Sequence, residues 1–407
     1  MSALDEPHSG PLSGPPSGPL AGVRVIDLST VVAGPMATQI LADQGAAVIK
    51  VETAGGDPGR RLGSGRGGMS ATFHNFNRGK RSIVLDLKNA SGLDVLKRLL
   101  KDADVLVHNF RPGVSARLGL DYESLRADHP KLIYLGVNGF GEAGPMAGQP
   151  AYDHIIQCYS GFAALQADPH GDGRPALIRN VAVDKLTAVT AAQAITAALF
   201  ARAGGAGGQE IKLSMLGAAI AFLWPDAAVD AHLVGEGADI RPAMADFCRL
   251  YAFGDGDITF NASDASFPGI CAAFDAPSGA DPRLRTMAGR VRETALMAQV
   301  EQEWSAAAAR MSVDEGISAL EALDAPCARV MRLKELPDHP QVRANGLLRH
   351  TEHPIAGELI EAAPAARFEA TPLSPTAPAP ALGQHADEIL MELRLDAEAM
   401  RASGALG

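Results

Sequence analysis

An α/β architecture built on a parallel sheet follows from three features of this 407-residue chain. Short apolar runs of strand type alternate with helical segments from Gly22 to Phe140. Each strand run is nearly all apolar, as in strands covered on both faces. After Trp224 the texture changes to a hairpin signal followed by helices, which predicts a second, smaller α+β domain.

The elements can be taken in order. Residues 1–20, "MSALDEPHSGPLSGPPSGPL", carry three Ser-Gly-Pro units that cannot bury a core, and they read as a disordered tail. With neither a basic start nor an apolar centre, this stretch is not a secretory signal. "VRVIDL" is the first strand, and "GPMATQILADQG" is a helix with proline in its first turn. "AAVIKVE" is the second strand, followed by a loop crowded with Gly and Arg. "RSIVLDL" (strand), "SGLDVLKRLLKDA" (helix), "DVLVHNF" (strand), "DYESLRADHP" (helix) and "LIYLGVNGF" (strand) continue the alternation. Ligands of such sheets gather at the carboxyl ends of the strands. The loops Ser29–Gly34, Asn109–Gly113 and Asn138–Gly141 are therefore the candidate site.

Further along, the apolar run Val181–Val183 ends at Asp184, where an alanine-rich helix begins. "RLYAFGDGDITFNA" reads as two strands around an Asp-Gly turn, and "RVRETALMAQVEQEWSAAAARM" and "SVDEGISALEAL" as helices. "PLSPTAPAPALGQHADEILMEL" is a proline-rich connector, suited to lie extended over the first domain, leading into a terminal helix. The expected division is 21–222 with 335–407 for the large domain and 223–334 for the small one.

Composition narrows the function. The formal charge of −11, with no Lys/Arg-rich segment, excludes a nucleic-acid partner. The four cysteines are far apart and form no metal spacing, which suits reduced thiols in a cytoplasm. No apolar run approaches the ~20 residues of a bilayer span. "GSGRGG" (Gly63–Gly68) matches a dinucleotide fingerprint but neither follows a strand nor opens a helix, so it reads as a flexible loop. Arg78, Lys80, Arg81, Arg111 and Arg117 lie beside strand ends, where they serve either as phosphate ligands or as solvated charge. Asp184 has two readings: a helix N-cap, worth ~1 kcal/mol, or a carboxylate nucleophile that attacks an activated acyl carbon. Spacing alone leaves both open.

From Leu20 almost to the end, the chain resembles the family III coenzyme A transferases, the group that includes formyl-CoA transferase and carnitine CoA-transferase. The resemblance rests on seven strings in order: "PLAGVRVIDLSTVVAGPMATQILADQGAAVIKVE", "NRGKRSIVLDLK", "VLVHNFRPGVSARLGLDYESL", "LIYLGVNGFGEAGP", "AYDHIIQCYSG", "AVDKLTAVTAAQAITAALFARAGGAGGQ" and "ALGQHADEIL". It implies a Rossmann-like, CoA-binding large domain, a small inserted domain and two subunits interlocked as rings. It also implies that Asp184 is the nucleophile, that coenzyme A is a substrate with no tightly bound cofactor and no metal, and that an acyl-CoA donor and a carboxylic acid acceptor are the partners. Succinyl-CoA and other short dicarboxylic or branched acyl-CoAs are the donors such a resemblance suggests.

By the same resemblance, Thr30, Val31, Val32 and Ala33 line the thiol end of CoA, although some members have His and Gln at the positions of Thr30 and Val32. Lys80, Asn109, Phe110 and Arg117 fall where the family contacts the nucleotide and pantetheine. Asn138 and Phe140 stand where formyl-CoA transferase has Lys and Tyr. Thr53 replaces an Arg, and no glycine triad follows in the small domain, so formyl or oxalyl specialisation is not implied. Two alternatives remain: a non-catalytic CoA-binding protein, and an α-methylacyl-CoA racemase-like isomerase, whose base is a His directly before the Asp of "AYD". Tyr152 occupies that place here, and His154, two positions on, is expected at the surface or as a cap.

Overall fold

The structure is a computed structural model that describes residues 17–167, 173–239, 241, 243, 246, 248–374 and 376–406. Most of the expected tail, residues 1–16, lies outside the described residues. Residues 17–20 do not belong with it. The Leu20 amide donates to Gln44 O at 2.9 Å, and Gly18, at φ 120°, sits so close that a Cβ there would lie 2.4 Å from Gln44 O.

Clustering of contacts separates two units, one running to Phe222 and resuming at Asn345, the other Leu223–Ala344. The return therefore falls at Asn345 rather than at 335. The turn Leu333–Asp338 and the helix Pro340–Ala344 are tied together by Arg343, whose Nε donates to Pro337 O at 2.9 Å, and they stay with the second unit.

The main sheet of the first unit holds six strands: β1 (Arg24–Asp27), β2 (Ala47–Glu52), β3 (Lys80–Val84), β4 (Val105–His108), β5 (Ile133–Asn138) and β6 (Gln209–Ser214). They pair in the order β3-β2-β1-β4-β5-β6, every pair parallel. The strand order reverses between β1 and β4, and the carboxyl ends of strands at such a reversal are where ligands of these sheets gather. On one face α3 (Ala90–Leu100) and the helix Ala386–Glu392 pack Leu96, Leu99, Leu100, Ile389 and Leu390 against Ile26, Ile49, Ile83 and Leu106. Against the sheet α1 (Ala33–Asp43) and α5 (Ala182–Ala203) lie together, joined through small buried residues such as Ala37, Ala188 and Ala191. α2 (Ala71–Asn77) and α4 (Asp153–Ser160) complete the elements that frame the site.

Several elements depart from the sequence expectation. The alanine-rich helix begins before Asp184 and not at it: α5 starts at Ala182, and Val181 is its N-cap. By length and composition this 22-residue helix, with a window of mean hydropathy 1.3, is long and apolar enough to cross a bilayer, which overturns the expectation that no run approaches that length. Val183, Thr187, Ala188, Ala191 and Ile195 on it are buried within the unit. β6 was not expected, because an edge strand with no fully buried side chain lacks the all-apolar mark of its neighbours. "DYESLRADHP" makes only one turn, Tyr122–Leu125, capped by Asp121.

The proline-rich segment runs along the first unit. Ala377 O accepts from Gly79 N at 2.7 Å, Thr376 Oγ1 donates to Asp43 Oδ1 at 3.0 Å, and the Ser82 amide donates to His385 Nδ1 at 3.1 Å. A hairpin, Leu348–His353 with Gly357–Ala362, precedes it.

In the second unit Tyr251–Phe253 and Gly256–Phe260 form the expected hairpin, and Cys327–Arg329 adds an unanticipated third strand. The long helix expected from Arg290 breaks at Glu293 into Met287–Arg292 and Thr294–Ala308. Beside the break, buried Arg290 is held by Leu284 O (3.0 Å) and Asp264 Oδ1 (2.7 Å). Tyr251, Phe253, Phe267, Phe274 and Trp304 fill the core.

Candidate active site

Asp184 is the third residue of α5 and does not cap its own helix: Val181 holds the N-cap position without a side-chain bond. The Asp184 amide is satisfied from outside, donating to Asp153 Oδ2 at 3.0 Å. Asp153, buried at the start of α4, takes a second bond from Gln157 Nε2 at 2.5 Å, and Gln157 Oε1 accepts from Ile178 N at 2.9 Å. Gln157 and Asp153 thus brace the entry to α5 and fix where Asp184 begins its turn. Its carboxyl is half-buried; that burial, with the nearby Asp153 charge, raises its pKa to about 7.

The carboxyl faces a cavity of about 440 Å³. Val31, Val32 and Val181 contribute one part of the wall, and Leu62, Thr72, Asn75 and Phe76 another. Tyr152, Asp153 and His154 supply the start of α4. The amino ends of α1, α4 and α5 all reach this cavity, each bringing the positive end of a helix dipole; in α5 the Ala182 and Asp184 amides are already taken, by Asn180 O and Asp153 Oδ2. His154 was expected at the surface, away from the chemistry. It is exposed but lines the cavity, because first-turn side chains surround a helix end that points into a site. The α2 residues were missed altogether. The one signal was Ser70, whose Oγ accepts from the Thr72 and Phe73 amides as an N-cap.

The turn after β1 is strained. Val31, a β-branched residue, has φ 73°. Its amide donates to Asp57 Oδ1 at 3.1 Å, and Asp57 also accepts from Gly59 N at 2.7 Å. Lys50 ties this together, reaching Asp57 Oδ2 and Ser29 O, both at 2.8 Å, from a wholly buried position. Just past β4, Asn109 clamps the same turn: Oδ1 accepts from Thr30 N at 3.0 Å, and Nδ2 donates to Thr30 O at 2.8 Å. His108 supports that clamp. Its Nδ1 accepts from the Phe110 amide at 3.2 Å, so the proton sits on Nε2 and is donated to the Tyr134 hydroxyl at 2.7 Å. Burial pushes His108 down to about 4.

Lys80 corrects an expectation. Its three donors go to Asp27 Oδ2 (2.9 Å), Pro35 O (2.8 Å) and Asn77 Oδ1 (2.8 Å), and its side chain has no exposure. Burial lowers it to about 8 despite Asp27. Desolvation acts to raise Asp27, but Lys80 and Lys50 outweigh it and hold that carboxyl below the usual range. An ammonium with every proton committed internally binds no ligand. Arg78 is likewise paired with Asp43, and Arg81 with Glu388 and Glu392, so of the five basic residues only Arg111 and Arg117 remain exposed and outside these pairs.

The remaining expected residues scatter. Val31, Val32 and Asp184 share the cavity, with Thr30 beside them and Ala33 buried at the head of α1. Phe110 is half-buried against His108, with ring centroids 5.1 Å apart. Asn138 accepts from Gly141 N at 2.6 Å, and Phe140 meets Tyr159 edge-on at 5.5 Å; neither lines the cavity. Gly67 and Gly68, both at positive φ, turn a short hairpin between Gly65–Arg66 and Met69–Ser70, so this loop is a tight turn and no phosphate cradle.

The family model described as "CoA-transferase family III" matches residues 20–386. The chain is 35% identical to a succinate–glutarate CoA-transferase of Agrobacterium fabrum, covering 92% of this chain and 95% of that one. It is 32% identical to the human succinyl-CoA:glutarate CoA-transferase, covering 94% and 87%. A crystal structure of a CAIB/BAIF family protein from Brucella suis superposes with a TM-score of 0.78 at 29% identity, covering 93% of this chain and all of that one.

Proposed function

The chain belongs to CoA-transferase family III and is a CoA-transferase; from that premise we propose that Asp184 is its nucleophile and that short dicarboxylic acids are among its substrates. The observation that carries the proposal is a half-buried carboxylate facing an apolar cavity where three helix amino ends meet. Asp184 attacks the thioester carbonyl, and the C–S electron pair leaves with the CoA thiolate, giving a mixed anhydride. The thiolate attacks the aspartyl carbonyl and releases the donor acid, leaving an aspartyl-CoA thioester. The acceptor carboxylate displaces thiolate from that thioester, and the thiolate attacks the acyl carbon of the second anhydride. The product is a new acyl-CoA and free Asp184.

No proton or electron is exchanged overall, and coenzyme A enters and leaves as a substrate. The helix amino ends favour each oxyanion in turn. Exposed Arg111 and Arg117, near the switch-point clamp of Thr30 and Asn109, suit the phosphates of the CoA nucleotide. The substrate class rests on the relatives, which are named for succinate and glutarate. Exposed Val189 and Phe200 on α5, with Ile220 and Phe222, support a homodimer, interlocked as in the family resemblance. Four cysteines with no disulfide among them suit a reducing, cytoplasmic setting.

Incubation with a panel of acyl-CoAs, a mild acid quench and intact-mass measurement test the mechanism. The expected result is a CoA-sized gain that maps to Asp184 and is absent from Asp184→Ala. The placement of His154 on the same cavity favours a second reading, proton transfer at the substrate α-carbon. Retention of the α-hydrogen in deuterated water would eliminate it.

A further inference from the structure

We infer that His154 is the specificity-determining residue for dicarboxylic substrates, holding the far carboxylate while Asp184 works on the near carbonyl; this rests on the transferase function proposed above. The cavity wall explains why such a residue is needed. Among the described residues it contains no lysine and no arginine, and Val31, Val32, Leu62, Phe76 and Val181 make much of it apolar. Its other charged groups are the carboxylates Asp153 and Asp184, so a substrate carboxylate entering here meets like charge and apolar surface. Burying it without a donor is costly.

Lys50 and Lys80, which donate to Ser29 O and Pro35 O on either side of the β1 turn, are spent on internal acceptors. Asp153 is likewise occupied by Gln157 and the Asp184 amide. His154 differs from all of these. It is exposed, its ring nitrogens are bonded to none of the described residues, and it is the one imidazole on the wall. Its ring lies parallel to that of Tyr152, with centroids 6.3 Å apart and an interplanar angle of 3°. An imidazole N–H, neutral or charged, is a donor a carboxylate accepts. None of the described residues already claims it.

The test uses matched donors, succinyl-CoA against butanoyl-CoA and glutaryl-CoA against pentanoyl-CoA, in which a methyl replaces the far carboxylate. The readout is the rate at which the CoA adduct appears on the enzyme, before any acceptor is added. The wild-type protein is expected to prefer the dicarboxylic member of at least one pair. His154→Leu should slow that member by about tenfold or more, the loss expected for a bond to a charged group, and its methyl counterpart far less. His154→Arg should keep the preference. Equal rates within both pairs, or a leucine variant that slows both members alike or neither, would overturn the assignment while leaving the transferase standing. Absence of any adduct with all four donors would overturn both.

Discussion

Asp184, the proposed nucleophile, shows why such a residue is hard to recognise from chemistry alone. Its position was legible from the motif around it, but its environment was not, since the nearest carboxylate comes from a helix some thirty positions earlier. A carboxyl raised to about 7 by burial and by Asp153 is disfavoured as an anion in the folded protein. Between the ordinary aspartate range and pH 7 the folded state therefore binds more protons than the unfolded one, and stability falls as pH rises through that window. Asp184→Asn removes this cost. The variant should melt above the wild type at pH 8, with the gap closing toward pH 4, in parallel thermal melts. The same titration should appear in function: formation of the CoA adduct slows as pH drops below about 7, because the attacking species is the carboxylate. A flat profile between pH 5 and 8 would mean that binding of the acyl-CoA resets the carboxyl before it reacts.

At the level of elements, the all-apolar strands were legible and the half-exposed ones were not. β1 to β5 announce themselves by continuous apolar runs, whereas β6, the Leu348–Ala362 hairpin and Cys327–Arg329 carry mixed sequences whose pairing is decided by tertiary neighbours. The basic cluster after α2 was misleading for the same reason. Sequence shows a charge but not its partner, and Lys80 at the start of β3 turns out to be internal. The β1 turn makes this testable. Val31 is held at positive φ by Asp57, and Asp57 is held by fully buried Lys50. Asp57→Ala leaves an ammonium without that partner, a change that costs about 3–5 kcal/mol when a buried pair is broken. Urea unfolding should show a loss of that order. Because the turn lines the cavity, adduct formation should weaken as well, even under conditions where the variant is folded.

For the molecule as a whole, the path of the chain matters more than any single contact. It leaves the first unit after Phe222 and re-enters at Asn345, and the residues beyond are fastened there by Gly79, Asp43 and Ser82. The proline-rich stretch made that return legible. The exact point of re-entry was not, because the 333–344 segment closes on itself through Arg343. On the proposal that two copies interlock, a chain that leaves one unit and later returns to it has the connectivity that threading requires. Two copies joined only by apolar faces such as that around Phe200 would separate on dilution by mass action. Threaded rings separate only after the fastening of residues 376–390 opens, which is a step of unfolding. Native mass measurements carried down to nanomolar protein are therefore expected to show an undiminished dimer. Urea midpoints should rise with protein concentration, because dissociation and unfolding are then one transition. Monomer that is folded and active at low concentration would rule out threading and leave a surface-contact dimer in its place.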